Sequence, residues 1–306
     1  MTGKNATEVL RADAAGIARA AQVLRGGGLV AVPTETVYGL AARADDAAAV
    51  ARIYAAKGRP GFNPLIVHVR DRTQAARYAE FSAQAGELAQ RHWPGPLTLV
   101  LPRRADAGLA DAVTAGLATV ALRVPAHPVM RAVLEQADAP LAAPSANRSG
   151  FISPTCADHV LASLDGRIDL VLDGGPCEAG VESTIAAVRA NGATDVLRPG
   201  PIDLGLMLAP GDAIEAPGQL ASHYAPGKPV RLNAAQPAAD EFLIGFGAGP
   251  CDANLSASAD LSEAARRLYA CLHLAAVAPH PRIAVAPVPD TGVGRAINDR
   301  LRRAAT

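Results

Sequence analysis

Lysine is nearly missing from this chain: three (Lys4, Lys57, Lys228) stand against 26 arginines in 306 residues. A generic surface cation is therefore an arginine here, and a lysine that persists marks a place suited to a compact ammonium with rotatable donors. Aromatic residues are also few, at 4%, so alanine and aliphatic side chains must build the interior. Neither sign of charge is in excess, with 29 basic and 29 acidic residues. That balance excludes a protein whose whole surface attracts polyphosphate, while a local basic groove stays open. The four cysteines (Cys156, Cys177, Cys251, Cys271) form no C-x-x-C pair and have no histidine at finger spacing. Neither a zinc site nor a disulfide framework is expected, and a reducing cytoplasm suits them. No uncharged apolar run reaches the length of about 18 residues that spans a membrane, and charged residues precede the first apolar run, so neither span nor signal peptide is expected. The motifs G-x-x-x-x-G-K-S/T, H-E-x-x-H and G-x-S-x-G are absent, which disfavours P-loop ATPase, zinc-protease and α/β-hydrolase chemistry.

What is present has the length of two domains of unequal size. Residues 7–25 carry Val9, Ile17, Ala20, Ala21 and Leu24 at helical spacing, and Gly26 to Gly28 stop them, which predicts an opening helix. Short apolar runs at 29–32, 65–69, 97–101, 119–124, 168–172 and 184–188 read as strands. Helical patterns at 47–56, 84–92 and 128–136 fall between them, so the first 200 residues read as an open, mixed sheet covered by helices. Between Ala209 and Pro229, Pro210, Pro217, Pro226 and Pro229 alternate with Gly211, Gly218 and Gly227, the composition of a linker. Beyond it, strands at 230–232, 242–246 and 283–286 and helices at 261–276 and 293–303 describe a small α/β domain. The expected division is 1–208, a linker at 209–229, and 230–306.

Three segments could carry chemistry. Pro33-Thr34-Glu35-Thr36-Val37-Tyr38-Gly39-Leu40 crowds hydroxyls, a carboxylate and a phenol into a loop after a buried strand, where open sheets place ligands; it could equally be a Thr-rich cap with Tyr38 in the core. Lys57-Gly58-Arg59-Pro60-Gly61-Phe62-Asn63-Pro64 sets two cations about one glycine, a compact point for phosphate oxygens; decoration of a helix C-terminus is the plainer alternative. Ala143-Pro144-Ser145-Ala146-Asn147-Arg148-Ser149-Gly150, with Ser153 close behind, is a loop of neutral donors and acceptors, or an Asx or Ser turn. No adjacent His or Asp activates Ser145, so a serine nucleophile is poorly supported. Arg123, inside an apolar strand, needs an anionic partner from protein or ligand. His68, within an apolar run, reads as a satisfied core histidine more readily than as a ligand contact. Gly292-Val293-Gly294 is half a dinucleotide fingerprint and reads as a cap. Cations with hydroxyls suit the binding of an anionic substrate and the transfer of a phosphoryl or nucleotidyl group.

Taken in order, Pro33 to Leu40, Lys57-Gly58-Arg59 with Asn63-Pro64-Leu65, Pro94-Gly95-Pro96-Leu97-Thr98, Arg123-Val124-Pro125, Ser145 to Gly150, Glu182-Ser183-Thr184 and Arg198-Pro199-Gly200 resemble the threonylcarbamoyl-adenylate synthase family. Ser222-His223-Tyr224-Ala225-Pro226, followed by a further α/β domain, is similar to its long, two-domain branch. The resemblance implies an α/β fold: a YrdC-like open twisted mixed sheet with helices, strictly α+β by segregation, followed by a small Rossmann-like domain.

It also implies an ATP-dependent nucleotidyltransferase that joins L-threonine, bicarbonate or carbon dioxide, and ATP into threonylcarbamoyl-AMP and pyrophosphate. Other proteins, the downstream transferase machinery, then modify tRNA beside the anticodon. By resemblance Lys57, Arg59, Ser145 and Asn147 are the catalytic group and hold phosphates and the magnesium carried with ATP, with no resident metal site. Asn63, Thr119, Ser153, Arg198, His223 and Tyr224 join Lys57, Arg59 and Ser145 as ATP contacts. Thr36, His68, Arg123 and Ser183 would hold L-threonine, with Arg123 on its carboxylate. The linker would act as a lid; a direct tRNA contact is possible in such a scheme, a membrane is not involved, and the cytoplasm is the expected location. A non-catalytic RNA-binding or ribosome-associated module is the alternative from another class, and carbamoyl-adenylate chemistry on another acceptor is a third.

Overall fold

The computed structural model describes residues 6–206, 208–209 and 214–306. Lys4, and Pro210 and Gly211 of the expected linker, lie outside these. The chain opens with β1 (Glu8–Arg11), α1 (Ala14–Arg25), β2 (Val30–Val32), β3 (Gly39–Arg43), α2 (Ala47–Lys57), β4 (Ile66–His68), α3 (Arg72–Ala75) and α4 (Ala83–His92). There follow β5 (Leu97–Pro102), α5 (Asp111–Thr114), β6 (Thr119–Arg123), α6 (Pro128–Ala137), β7 (Leu141–Ala142), α7 (Ala157–Leu164), β8 (Leu170–Asp173), β9 (Thr184–Val188) and β10 (Thr194–Arg198). These strands form one mixed sheet in the order β1-β8-β2-β3-β7-β4-β6-β5-β9-β10.

The expected helix from residue 7 is corrected at its start. Residues 8–11 pair in parallel with β8 as an edge strand, and the helix begins only after Asp13, whose side chain accepts the Gly16 amide at 2.9 Å. Helical spacing in the sequence gave way there to long-range strand pairing. The polar loop of residues 33–40 is also shorter than the sequence suggests, because Gly39 onward pairs with β2 and β7 as β3.

Strand alternation decides which face holds the site. Val30, Val32, Ala41, Leu141, Leu170 and Leu172 pack with α1 and α6 on one face, while Ala31, Leu40, Val67, Leu99 and Leu122 pack with α2, α4 and α7 on the other. His68 stands opposite Leu141 and beside Arg123 in register, so both polar side chains lie on the face that α1 and α6 cover only in part. Ile66, Val100, Ala121, Ile185 and Ala187 continue that face, where Ala216 rather than a helix covers them.

The second sheet takes β11 (Val230–Arg231), β12 (Glu241–Gly245), β13 (Ala253–Asn254) and β14 (Arg282–Val285) in the order β11-β14-β12-β13, every neighbouring pair parallel. Helices α8 (Leu261–Val277) and α9 (Gly294–Ala304) pack on it through Leu268, Leu272, Ile297 and Leu301. Asp260 caps α8 by accepting the Glu263 amide at 2.6 Å, and α9 begins at Gly294 with no side-chain cap. Val37, Ile152 and Val181 of the first part join this core, so the two sheets share apolar contact.

Candidate active site

The turn after β2 is organised by Thr34. Its hydroxyl accepts the amides of Thr36 and Val37 at 3.2 Å each and donates to the Val37 carbonyl at 2.6 Å. The turn aims Glu35 and Thr36 at Arg123, which donates to Glu35 Oε1 at 2.6 Å, to Thr36 Oγ1 at 3.0 Å and to the Gly95 carbonyl at 3.2 Å. Arg123 therefore has a protein carboxylate already, one of the two kinds of anionic partner its sequence position calls for. Burial alone would raise the Glu35 carboxyl, but the Arg123 charge and hydrogen bonds hold it down at about 2. His68 lies next to this pair with its Nδ1 buried and unpartnered, so it is not a satisfied core histidine. Burial and the Arg123 charge push its pKa down to about 3, leaving a neutral ring at pH 7.

At the end of α2, Gly58 takes the left-handed conformation (φ 60°) that closes the helix. Lys57, 3% exposed, turns its ammonium to the carbonyls of Ser145 and Asn147, each at 2.5 Å. Burial, then the charge of Arg59, pull its pKa well down. Arg59 is held by its own loop, donating to Asn63 Oδ1 at 2.7 Å and the Pro64 carbonyl at 2.8 Å. The Ser145 segment bridges Gly39 of β3. Asn147 donates to the carbonyls of Arg148 and Phe151, and its Oδ1 is buried without a partner.

The opposite wall comes from the start of β9 and the end of β10. Ser183 Oγ is 2.8 Å from Thr98 Oγ1, and Arg198 donates to the Ser183 carbonyl at 3.0 Å and hydroxyl at 3.1 Å. Above lies a strap, residues 216–225. Arg198 donates to the Pro217 carbonyl at 3.4 Å, the His223 amide donates to Arg303 of α9, and the Ala225 amide donates to the Gly150 carbonyl. Burial and the nearby cations push the His223 ring down to about 3, with Glu182 opposing. Its Nδ1 and the hydroxyl of Tyr224 are buried and unpartnered.

These walls enclose a cavity of about 40 Å³. Of the sequence-predicted residues, Thr36, Arg59, His68, Arg123, Ser145, Ser183, Arg198 and His223 line it. Lys57, Asn63, Asn147 and Tyr224 stand directly behind this lining. Ser153 does not line the cavity and donates to Glu182 Oε1, in the cavity wall, at 2.5 Å. Thr119 opens β6, four residues before Arg123, and does not line the cavity. Sequence reasoning left out Glu35, Glu182 and Gly218; the first two stood inside the motifs already noticed, but their role depends on partners far along the chain. Among the described residues, Lys57, Arg59 and Arg198 have no carboxylate within 4.0 Å, as the ion pairs present involve other cations. No group of three His, Cys, Asp or Glu able to hold a metal occurs among the described residues.

A family profile described as telomere recombination matches residues 22–200, and one described as threonylcarbamoyl-AMP synthase, C-terminal domain, matches 184–306. The threonylcarbamoyl-AMP synthase of Bacillus subtilis is 40% identical over 98% of this chain and 95% of its own. The chain belongs to the threonylcarbamoyl-AMP synthase family. In fold, this family member is similar to Sua5 of P. abyssi in complex with L-threonine, with a TM-score of 0.88 and 36% identity, covering 98% of this chain and 96% of that one. A P. abyssi Sua5 variant with a His and the adjacent Tyr both replaced by Ala gives the same TM-score, 0.88, at 34% identity and the same coverage. The mixed α/β architecture expected from the sequence is thereby confirmed, and the resemblance that named the family holds along the whole chain.

Proposed function

We propose that this chain is an L-threonylcarbamoyladenylate synthase that draws on ATP, L-threonine and bicarbonate at the pocket beneath the strap. The observation that carries the reading is a convergence of unsatisfied buried atoms. Of eight such atoms among the described residues, four, His68 Nδ1, Asn147 Oδ1, His223 Nδ1 and Tyr224 OH, belong to residues that line this pocket or stand behind its lining. Buried polar atoms are rarely left without a partner, so a ligand here has several to complete. Three cations without carboxylates beside them supply the complementary charge for a triphosphate.

In the reaction, the threonine amine takes up carbon dioxide as a carbamate, with water released when bicarbonate is the source. A carbamate oxygen attacks the α-phosphorus of ATP, a P–O bond forms, and the bond to the β-phosphate oxygen breaks to release pyrophosphate. Lys57, Arg59 and Arg198 neutralise charge gathering on the leaving group, and Ser145 and Asn147 order the phosphates. Asn147 Oδ1, buried without a partner, is the hard oxygen donor that would fit a magnesium ion carried with ATP, which would supply further charge neutralisation on the phosphates. Thr36, His68, Ser183 and the Nη N–H groups of Arg123 not used on Thr36 and Glu35 take L-threonine, with Asn63 supporting Arg59. Tyr224 and His223 close on the nucleotide, and Thr119 and Ser153 contribute from outside the lining. No covalent enzyme intermediate is needed, in keeping with the unactivated Ser145.

Residues 1–208 form the catalytic unit, 209–229 the linker and lid, and 230–306 the C-terminal unit. A cavity of about 40 Å³ is far below the roughly 300–1,000 Å³ of ligand pockets, so the strap lifts to admit substrates and its return excludes water from a hydrolysable anhydride. The product passes to a downstream transferase acting on tRNA in the cytoplasm; no helix among the described residues is long and apolar enough to cross a membrane. Binding an RNA backbone without catalysis calls for exposed cations, whereas Lys57 and Arg198 are buried.

Pyrophosphate release from ATP that requires both L-threonine and bicarbonate, and that Lys57→Ala removes, is the expected result. Release indifferent to threonine defeats the substrate assignment. Activity on carbamoyl phosphate without threonine would favour another acceptor, and salt-sensitive RNA affinity without ATP turnover would favour the RNA-binding module.

A further inference from the structure

Glu182, in the pocket wall, is held largely from the second sheet's helices. Its carboxylate accepts Ser153 Oγ at 2.5 Å, Tyr269 OH at 2.8 and 3.0 Å, and Arg300 Nε at 2.9 Å. Tyr269 lies on α8 and Arg300 on α9, and both are 0% exposed. The Arg300 guanidinium also covers the Tyr224 ring, 5.4 Å from its centroid, and donates to Asp299 at 2.7 Å. Asp299 accepts from Arg303 at 3.1 Å, and Arg303 donates to the Leu220 carbonyl at 2.5 Å while its own carbonyl accepts the His223 amide at 3.1 Å. One turn of α9 thus grips the pocket wall at Glu182 and the strap at Leu220, His223 and Tyr224.

Such an arrangement is poor glue. Desolvating a guanidinium and a carboxylate offsets most of their attraction, and apolar side chains of similar volume would dock the units at least as well. Arg300 Nη2 is moreover buried without a partner, a further cost. What the guanidinium supplies and an apolar group does not is a rigid plane, able to bind a carboxylate at its edge and a ring on its face in one fixed geometry.

We infer that Arg300 is a positioning residue for the adenylation proposed above, tying the His223–Tyr224 strap to Glu182 and thereby setting the Ser183–Arg198 wall against the substrates. The inference rests on the assignment of this pocket to ATP and L-threonine. It gives the C-terminal unit a role in the reaction: its helices hold the closed strap in register with the wall.

The test uses the full chain as wild type, Arg300→Lys, and the double variant Glu182→Gln/Arg300→Met. Pyrophosphate release is followed with ATP and threonine varied separately, beside thermal unfolding and hydrogen exchange of residues 216–225 with and without Mg-ATP. Arg300→Lys keeps a cation for Glu182 and loses the planar cover of Tyr224. It is expected to unfold near the wild-type temperature, to lose about tenfold in kcat/KM for ATP, and to lose ATP-induced protection of the strap while β5 and β6 keep theirs. The double variant removes the Glu182–Arg300 charge pair together, so it too is expected to unfold near the wild-type temperature while turnover stays low. Wild-type kinetics with wild-type strap protection in Arg300→Lys, or full turnover in the double variant, overturns the proposal. Should either variant fail to fold, the wild type still decides: Mg-ATP must slow exchange in the strap and in residues 300–303 together, and protection of the strap alone overturns the inference. A wild type that releases no pyrophosphate with any substrate combination marks failure of the activity assignment instead.

Discussion

Lys57 Nζ lies 2.5 Å from the carbonyl oxygen of Ser145, joining a helix end to a loop 88 residues further along. The same ammonium reaches the Asn147 carbonyl, so one lysine fixes the backbone of the S-x-N segment from below. Lys228 is used alike, donating to the carbonyls of Ala275 at 2.8 Å and Ala278 at 2.5 Å. Both described lysines of this arginine-rich chain thus sit where paired carbonyls want a compact donor. Lys57→Arg would force a larger planar group into a site that is 3% exposed, and is expected to fail as fully as Lys57→Met. Steady-state pyrophosphate release should fall about 100-fold or more in both, with circular dichroism showing a retained fold; wild-type turnover in Lys57→Arg would contradict the assignment.

Arg123 and Glu35 form a buried pair at 2.6 Å, with 4% and 10% of their side chains exposed. Removing the cation alone strands a carboxylate, whereas Glu35→Gln leaves an amide oxygen to accept from Arg123. Arg123→Met is expected to cost about 3–5 kcal/mol in urea unfolding, Glu35→Gln clearly less, and the double variant less than Arg123→Met alone. Equal losses for the two single variants would show that the pair is not the source of the cost.

Much of this was legible before the structure. The central strands β4, β5, β6 and β9 are apolar runs bounded by turn residues, and the strand and helix patterns after residue 229 showed a small α/β domain, while the parallel pairing of its strands is seen only in the structure. Gly39–Arg43 was hidden because its strand character comes from pairing with β2 and β7 and not from its own residues. The site divides the same way. Residue types that concentrate locally, as around Lys57 and Ser145, were visible as clusters. The direction each side chain takes was not, since Ser153 is drawn to a carboxylate 29 residues away and Glu182 to a guanidinium 118 residues away.

Groups held below their ordinary pKa make stability fall with acid, and four of them stand at the pocket. His68 and His223 are held at about 3 by burial, against an ordinary value near 6.5, so the unfolded chain binds protons first as pH falls below 6.5. Their neutral burial therefore contributes fully above pH 6.5 and is lost progressively toward pH 3. Glu35 and Glu182, at about 2 against 4.5, add a second loss that begins below pH 4.5 and runs toward pH 2. Urea unfolding at stepped pH should show stability declining in these two windows. His223→Asn should make the upper decline shallower without abolishing it, since His68 stays at about 3 and His273 at about 4, and an unchanged slope between pH 6.5 and 4.5 would show that the His223 ring is not buried neutral.

Gly218 is packed tightly between the wall and the rest of the strap. Its φ is +87°, and a Cβ there would stand 2.8 Å from Arg198 Cδ and 3.1 Å from the Tyr224 hydroxyl. Gly192, in the turn between β9 and β10, has a similar φ of +85° with nothing near a Cβ. Alanine at either position carries the same backbone strain, of order 1 kcal/mol, but only Gly218→Ala also pushes the strap off Arg198. Both variants should show similar small losses in melting temperature. Pyrophosphate release should fall about tenfold or more in Gly218→Ala and stay at the wild-type rate in Gly192→Ala. Matching activities would mean that the strap does not have to seat on Arg198 for the reaction to proceed. The strain common to both substitutions cannot produce a difference in turnover, so a difference isolates the contact among Gly218, Arg198 and Tyr224 as the one that closure requires.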